Sequence, residues 1–139
     1  MTLTDDQEQA VSRRRLYYFA HPYAVKRADG SHVYTAEEAN WRLACVRSAE
    51  LLRCGYWVFS PVVHTHPMHC VMPESIAQDS FSWYELDLLM IERTEFDGII
   101  LAPGWERSTG CQRERDSCIE RGKLVLLYGD IIGGKGAES

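Results

Sequence analysis

The chain has no apolar run long enough to cross a bilayer, no C-x-x-C pair and no apolar signal segment. Its five cysteines (45, 54, 70, 111 and 118) are odd in number and fall into no disulfide-type spacing. A disulfide-stapled secreted scaffold is therefore excluded, and a reducing cytoplasm is the expected compartment. Positive charge is also in short supply: 15 Lys and Arg against 20 Asp and Glu leave a formal net charge of −5. That balance argues against a partner that is nucleic acid or an anionic membrane. The one basic run, Arg13-Arg14-Arg15, is too short to reverse the argument. Internal repeats and dividing linkers are missing as well, so residues 1–139 read as one domain. Residues 1–13, an arm or short helix, and the glycine-rich 129–139 are expected to be its mobile ends. A chain of this length buries roughly 68% of its unfolded surface without a staple.

What is present is an alternation of strand and helix patterns. Leu16–Ala20 is a β-rich apolar run ended by His21-Pro22, and Asp29-Gly30 marks a turn. Thr35-Ala-Glu-Glu38 reads as a capping box opening a helix that carries Trp41, Ala44, Cys45, Ser48, Leu51 and Leu52 and stops at Gly55. Residues 56–60 form the second strand. Residues 61–78, with three of the chain's five prolines, read as an irregular loop with at most one helical turn. A second helix over 79–94 presents Phe81, Tyr84, Leu88 and Ile91 on one face. Strand 97–102, helix 109–121 and strand 124–128 complete the order β-α-β-α-β-α-β. This order predicts an α/β fold, a doubly wound (Rossmann- or flavodoxin-like) parallel sheet of four to five strands in the order 2-1-3-4, with helices on both faces. Ligands bind such sheets outside the carboxyl ends of the strands, where Ala20–Tyr23, Ser60–His66 and Pro103–Ser108 gather.

The stretch from Asp97 to Lys123 is the most informative. A buried strand runs into Pro103–Arg107, and Ser108-Thr109-Gly110 opens a helix. Such a junction suits an anion, because unpaired N–H groups and the positive end of the helix dipole face the gap. Ser108 suits the N-cap, Gly110 lets a ligand approach the backbone, and Glu114 stands about one and a half turns above the cap. Glu114 reads equally well as a solvated helix glutamate. Cys111, Cys118 and Ile119 define the helix's narrow apolar stripe, with Glu114 on its flank and Arg115 nearer its middle; either Arg115 pairs with Glu114 or a phosphate, or the helix is rotated from this register. Asp87, among Trp83, Leu86, Leu88, Met90 and Ile91, needs a partner or a function.

The motifs Tyr18-Phe-Ala-His21-Pro-Tyr23, Val58-Phe-Ser-Pro-Val-Val-His64-Thr-His66-Pro67, Trp83 to Asp87, and Trp105-x-x-Ser108-x-Gly110-x-x-x-Glu114 occur in this order. In that spacing the chain resembles the nucleoside 2-deoxyribosyltransferase superfamily over nearly all of residues 16–128. The resemblance implies a carboxylate nucleophile at Glu114, a Tyr18 hydroxyl orienting it, and Asp87 near the departing base. Where the transferases typically carry an Asp for the sugar 5′-hydroxyl, this chain has Ser108, as do the nucleoside 5′-monophosphate N-glycosidases of that superfamily. An Asp would repel a phosphate and a Ser would accept one. The expected function is thus hydrolysis of the base–sugar bond of a nucleoside 5′-monophosphate, with base exchange and non-catalytic nucleotide sensing as the alternatives. Ser108, Thr109, Gly110, His21, Tyr23, His64, His66 and Trp105 are the expected substrate contacts. The expected partner is a small-molecule nucleotide or nucleoside, with no cofactor.

Two further expectations concern metal and assembly. His64, His66, His69 and Cys70 are dense in potential ligands, but their spacing matches no structural-zinc pattern, so no metal is expected and a substrate-contacting loop is preferred. A homodimer or larger assembly is expected from the resemblance and from a second helix with more apolar surface than one sheet face covers.

Overall fold

Leu16–Ala20 forms the central strand, β1, because an uninterrupted apolar run can be buried on both faces of a parallel sheet. In this computed structural model, which describes residues 2–72 and 82–134, β1 lies between β2 (Trp57–Phe59) and β3 (Gly98–Leu101), and β4 (Leu124–Leu127) flanks β3. All pairings are parallel and the order is 2-1-3-4. Successive side chains of β1 part company. Tyr18 and Ala20 join Ile99, Leu101 and Phe96 in one core layer; Tyr17 and Phe19 join Ile100 and Ala102 in the other. The first layer is closed by α4 (Trp83–Arg93) through Ile91 and by α5 (Thr109–Glu120) through Cys111 and Cys118. The second is closed by α2 (Tyr34–Arg53) through Leu51 and by α6 (Tyr128–Ile132) through Ile131. Helices on both faces follow from right-handed crossovers between parallel strands.

Two glycines are set by geometry. Gly55 adopts φ +88 and ends α2 in a Schellman arrangement, its N–H bonding Leu52 O while that of Tyr56 bonds Leu51 O. At Gly98 a Cβ would lie 2.7 Å from Leu124 O, so β4 can approach β3 there only because the side chain is missing.

Several local expectations need correction. Pro61–Val71, within the stretch read as a loop, is an eleven-residue helix, α3. Ser60 caps it by accepting the Val63 N–H, and Pro61 sits where its missing N–H costs nothing. Pro67 forgoes one bond in the interior on an exposed face. The Thr35 capping box does not form. Here α2 starts at Tyr34 behind Val33 with no side-chain cap, and Glu38 pairs outward with Arg42. A capping box does form at the chain's start, where Thr4 and Gln7 exchange bonds ahead of α1 (Asp5–Arg13). Strand four ends at Leu127, and the segment expected to be a mobile tail begins with α6, whose Ile131 is buried. Of the helix expected over 79–94, Phe81 and its neighbours lie outside the described residues. Among the described residues no helix is long and apolar enough to cross a membrane.

Candidate functional site

A polar pair is buried inside the first core layer. Tyr18, fully buried on β1, donates its hydroxyl to Glu114 Oε2 on α5. Glu114 is only 6% exposed and shares its buried stripe with Cys111 and Cys118, three residues before and four after. The expected stripe is therefore rotated: Ile119 is half exposed, and Glu114 takes the inward place. Arg115 does not pair with Glu114. Its guanidinium binds Asp116 at 2.7 Å and lies over the Trp105 ring at 4.9 Å. The solvated reading of Glu114 is overturned with it.

Burial dominates the electrostatics. Loss of water pushes the Glu114 carboxyl up to about 8; the Tyr18 hydrogen bond opposes this and the charge of Asp87 adds to it. Burial likewise pushes Asp87, on α4, up to about 7. The Tyr18 hydroxyl is raised well above its ordinary range, first by burial and then by the charges of Glu114 and Asp87. These three residues from three elements thus sense one another, as two carboxyls and a phenol must in a low-dielectric setting. A carboxylic acid and a carboxylate with nearly matched proton affinities can exchange roles during a reaction.

The mouth of α5 is built as its sequence suggests. Ser108 Oγ accepts the Cys111 N–H at 3.2 Å, and Ser108 O takes the first helical bond from Gln112 N. Helix geometry leaves the preceding N–H groups, of Thr109 and Gly110, without helical acceptors. A 3₁₀ turn, Trp105–Arg107, leads in from Gly104, and Trp105 packs against the first core layer.

The remaining candidates separate. His21 follows β1 into the second layer, where its Nδ1–H donates to Pro22 O at 2.8 Å and Nε2 accepts from Arg47 at 3.0 Å. Burial lowers its proton affinity. His64 is exposed, its ring 5.8 Å from that of Phe59. Tyr23 and His66 meet each other at 2.7 Å away from Glu114, in a cavity beside α3 and the start of α2. Glu37, a buried carboxylate of that cavity, escaped the sequence reading because it lay inside the apparent capping box. Arg47 escaped because nothing in its helical spacing ties it to His21.

A family model described as a domain of unknown function (DUF1937) matches residues 15–130. No curated protein matches the chain.

Proposed function

The chain belongs to the DUF1937 family, and from that premise, which assigns no chemistry, we propose that it is an N-glycosidase acting on a nucleoside 5′-monophosphate. The observation that carries this reading is the buried Glu114 held by the Tyr18 hydroxyl within electrostatic reach of Asp87. The motif likeness to nucleoside 2-deoxyribosyltransferases supports it. In this reading the resting pair holds its proton mainly on Glu114, and the form that reacts is the one in which that proton has passed to Asp87, so that the Glu114 carboxylate attacks the anomeric carbon. The C–N bond breaks, its electron pair leaves with the base, and Asp87 supplies the proton that the base takes up. Tyr18 keeps the carboxylate aimed through the hydrogen bond it donates. Water then hydrolyses the glycosyl ester, returning one proton to Asp87 and releasing Glu114 as the carboxylate. The products are the free base and the sugar 5-phosphate.

The phosphate would sit at the start of α5, against the Thr109 and Gly110 N–H groups and the Ser108 hydroxyl. That hydroxyl can donate because its oxygen already accepts from Cys111. Charge-assisted bonds of this kind contribute roughly 1.5–3 kcal/mol each, so the monophosphate should be preferred to its nucleoside by tenfold to a hundredfold. The test is chromatographic detection of base release from a panel of nucleotides and nucleosides, followed by the specificity constants of Ser108→Asp. That variant should lose the nucleotide and spare the nucleoside, whose 5′-hydroxyl can donate to Asp. An unchanged ratio would reduce Ser108 to a helix cap and favour base exchange.

A further inference from the structure

Beside α3 lies a cavity of about 410 Å³ that shares no lining residue with the Glu114 site. Its floor is Glu37, only 1% exposed. One oxygen of that carboxylate is fully used: Oε2 accepts the Val25 N–H at 3.1 Å and the His32 Nδ1–H at 2.7 Å. The other, Oε1, is buried and has no hydrogen-bond partner among the described residues. A buried carboxylate oxygen left unpaired is costly, and the group that offsets the cost has to be a donor. One water would satisfy it, but a water occupies roughly 30 Å³ and this cavity holds many times that.

The walls are aromatic and fixed. The Tyr23 hydroxyl bridges His66 Nδ1 at 2.7 Å and His69 Nδ1 at 3.1 Å, and the His66 ring stacks on Trp41 at 4.7 Å. Tyr34 stands 6.4 Å from His69 and closes the outer side. Burial lowers the proton affinity of His66, so that ring adds no positive charge near neutrality. A second carboxylate, Glu38, stands at the rim, paired outward with Arg42 at 3.6 Å, and among the described residues no Lys or Arg lines the cavity. Acidic groups at the floor and rim with aromatic faces between them select a cation. Among the described residues no group of three His, Cys, Asp or Glu is set to hold a metal ion. The chemistry that remains is organic.

We propose that this cavity binds an organic cation with N–H donors, an alkylammonium or guanidinium group, which reaches Glu37 Oε1 and lies against the rings of Tyr23, Tyr34 and His69. The donor requirement comes from the unpaired oxygen, and it separates these ligands from quaternary ammonium ions, which offer charge alone. The site is independent of the glycosidase reading, so either can fail without the other.

Titration of the full chain with benzylammonium, benzyl alcohol and tetramethylammonium, followed by amide NMR shifts, tests the proposal. Benzylammonium should bind and shift resonances around Tyr34, Glu37 and His69. The neutral alcohol and the donorless cation should each bind at least tenfold more weakly, about 1.4 kcal/mol. Glu37→Gln should reduce benzylammonium binding by tenfold or more. Because Glu37 also anchors Val25 and His32, Tyr34→Ala is the second variant. Its wall ring is half exposed, so the fold should persist while affinity falls severalfold. Glu114→Gln should bind benzylammonium as the unmodified chain does. Equal binding of the alcohol, shifts centred on Tyr18 and Glu114, or no binding of benzylammonium overturns the proposal.

Discussion

Replacing Glu114 with Gln should abolish base release and at the same time make the protein more stable, by an amount that grows with pH. The carboxyl ordinarily titrates near 4.5 and is pushed up to about 8 in the folded chain, chiefly by burial. Below pH 4.5 it is protonated whether the chain is folded or unfolded, and the shift costs nothing. Between 4.5 and 8 the unfolded chain gives up the proton while the folded chain keeps it, so stability falls as pH rises, by up to about 1.4 kcal/mol per unit. Above 8 both states are ionised and the loss levels off near an upper limit of about 5 kcal/mol. Gln does not titrate, and its carbonyl can still accept the Tyr18 hydroxyl. The variant should therefore match the unmodified protein near pH 4 and exceed it by about 2–3 kcal/mol at pH 7 to 8, allowing for imperfect pairing of the new amide. For a domain of this size that is a rise in Tm of roughly 5–10 °C. Asp87 titrates in both proteins, so the difference between them reports Glu114 together with its coupling to Asp87. Calorimetric melting of both at pH 5 and pH 8 measures it. A Tm difference that does not change with pH, or a variant less stable at pH 8, would mean that Glu114 is not held as a buried neutral acid, and the electrostatic argument for the site would fall.

Three other perturbations probe the same reasoning. The dependence of kcat/KM on pH should be a bell with limbs near 7 and 8, which belong to the Asp87–Glu114 pair jointly; Asp87→Asn should remove the falling limb and lower the rate by about 10²–10⁴. Tyr18→Phe removes the bond that holds the Glu114 carboxyl down, so the upper limb, which follows the higher of the pair's two proton affinities, should move to higher pH while kcat falls by about 10- to 100-fold; an unmoved upper limb would argue against that role. Gly98→Ala drives a Cβ to within 2.7 Å of Leu124 O and should lower the urea midpoint at constant m, at a cost of about 1–3 kcal/mol.

The sheet and its order were legible because strands buried on both faces leave continuous apolar runs, and Leu16–Ala20 and Gly98–Leu101 are such runs, while Leu124–Leu127 is equally apolar although it stands largely exposed at the sheet's edge. The Ser108 cap was legible for a local reason, since a cap depends on residues within one turn. What failed was long-range. Thr35 looked like a cap, but Glu37 is tied to Val25 and His32, contacts that no helical periodicity contains. The rotation of α5 was one of the readings the sequence left open and could not be chosen there, because a buried glutamate looks polar in any pattern; only its partner on β1, 96 residues away, makes the inward position tolerable. Prolines misled over 61–71, where Pro61 starts a helix it was expected to prevent.

The alternating faces of β1 leave this strand open to a particular folding error. Tyr17 and Tyr18 are adjacent, so a slip of one residue against β3 would still present a phenol towards Glu114. The tyrosines therefore do not define the register. Phe19 and Ala20 do. After that slip Tyr18 would take the place of Phe19 and the Phe19 ring would be forced into the space shaped for Ala20, an overpacking of the kind that costs about 1–3 kcal/mol. A chain altered to Ala at 19 and Phe at 20 would favour the wrong alignment and still place a tyrosine beside Glu114. Proofreading of this strand's alignment thus rests on the size contrast of two apolar residues that have no part in the chemistry.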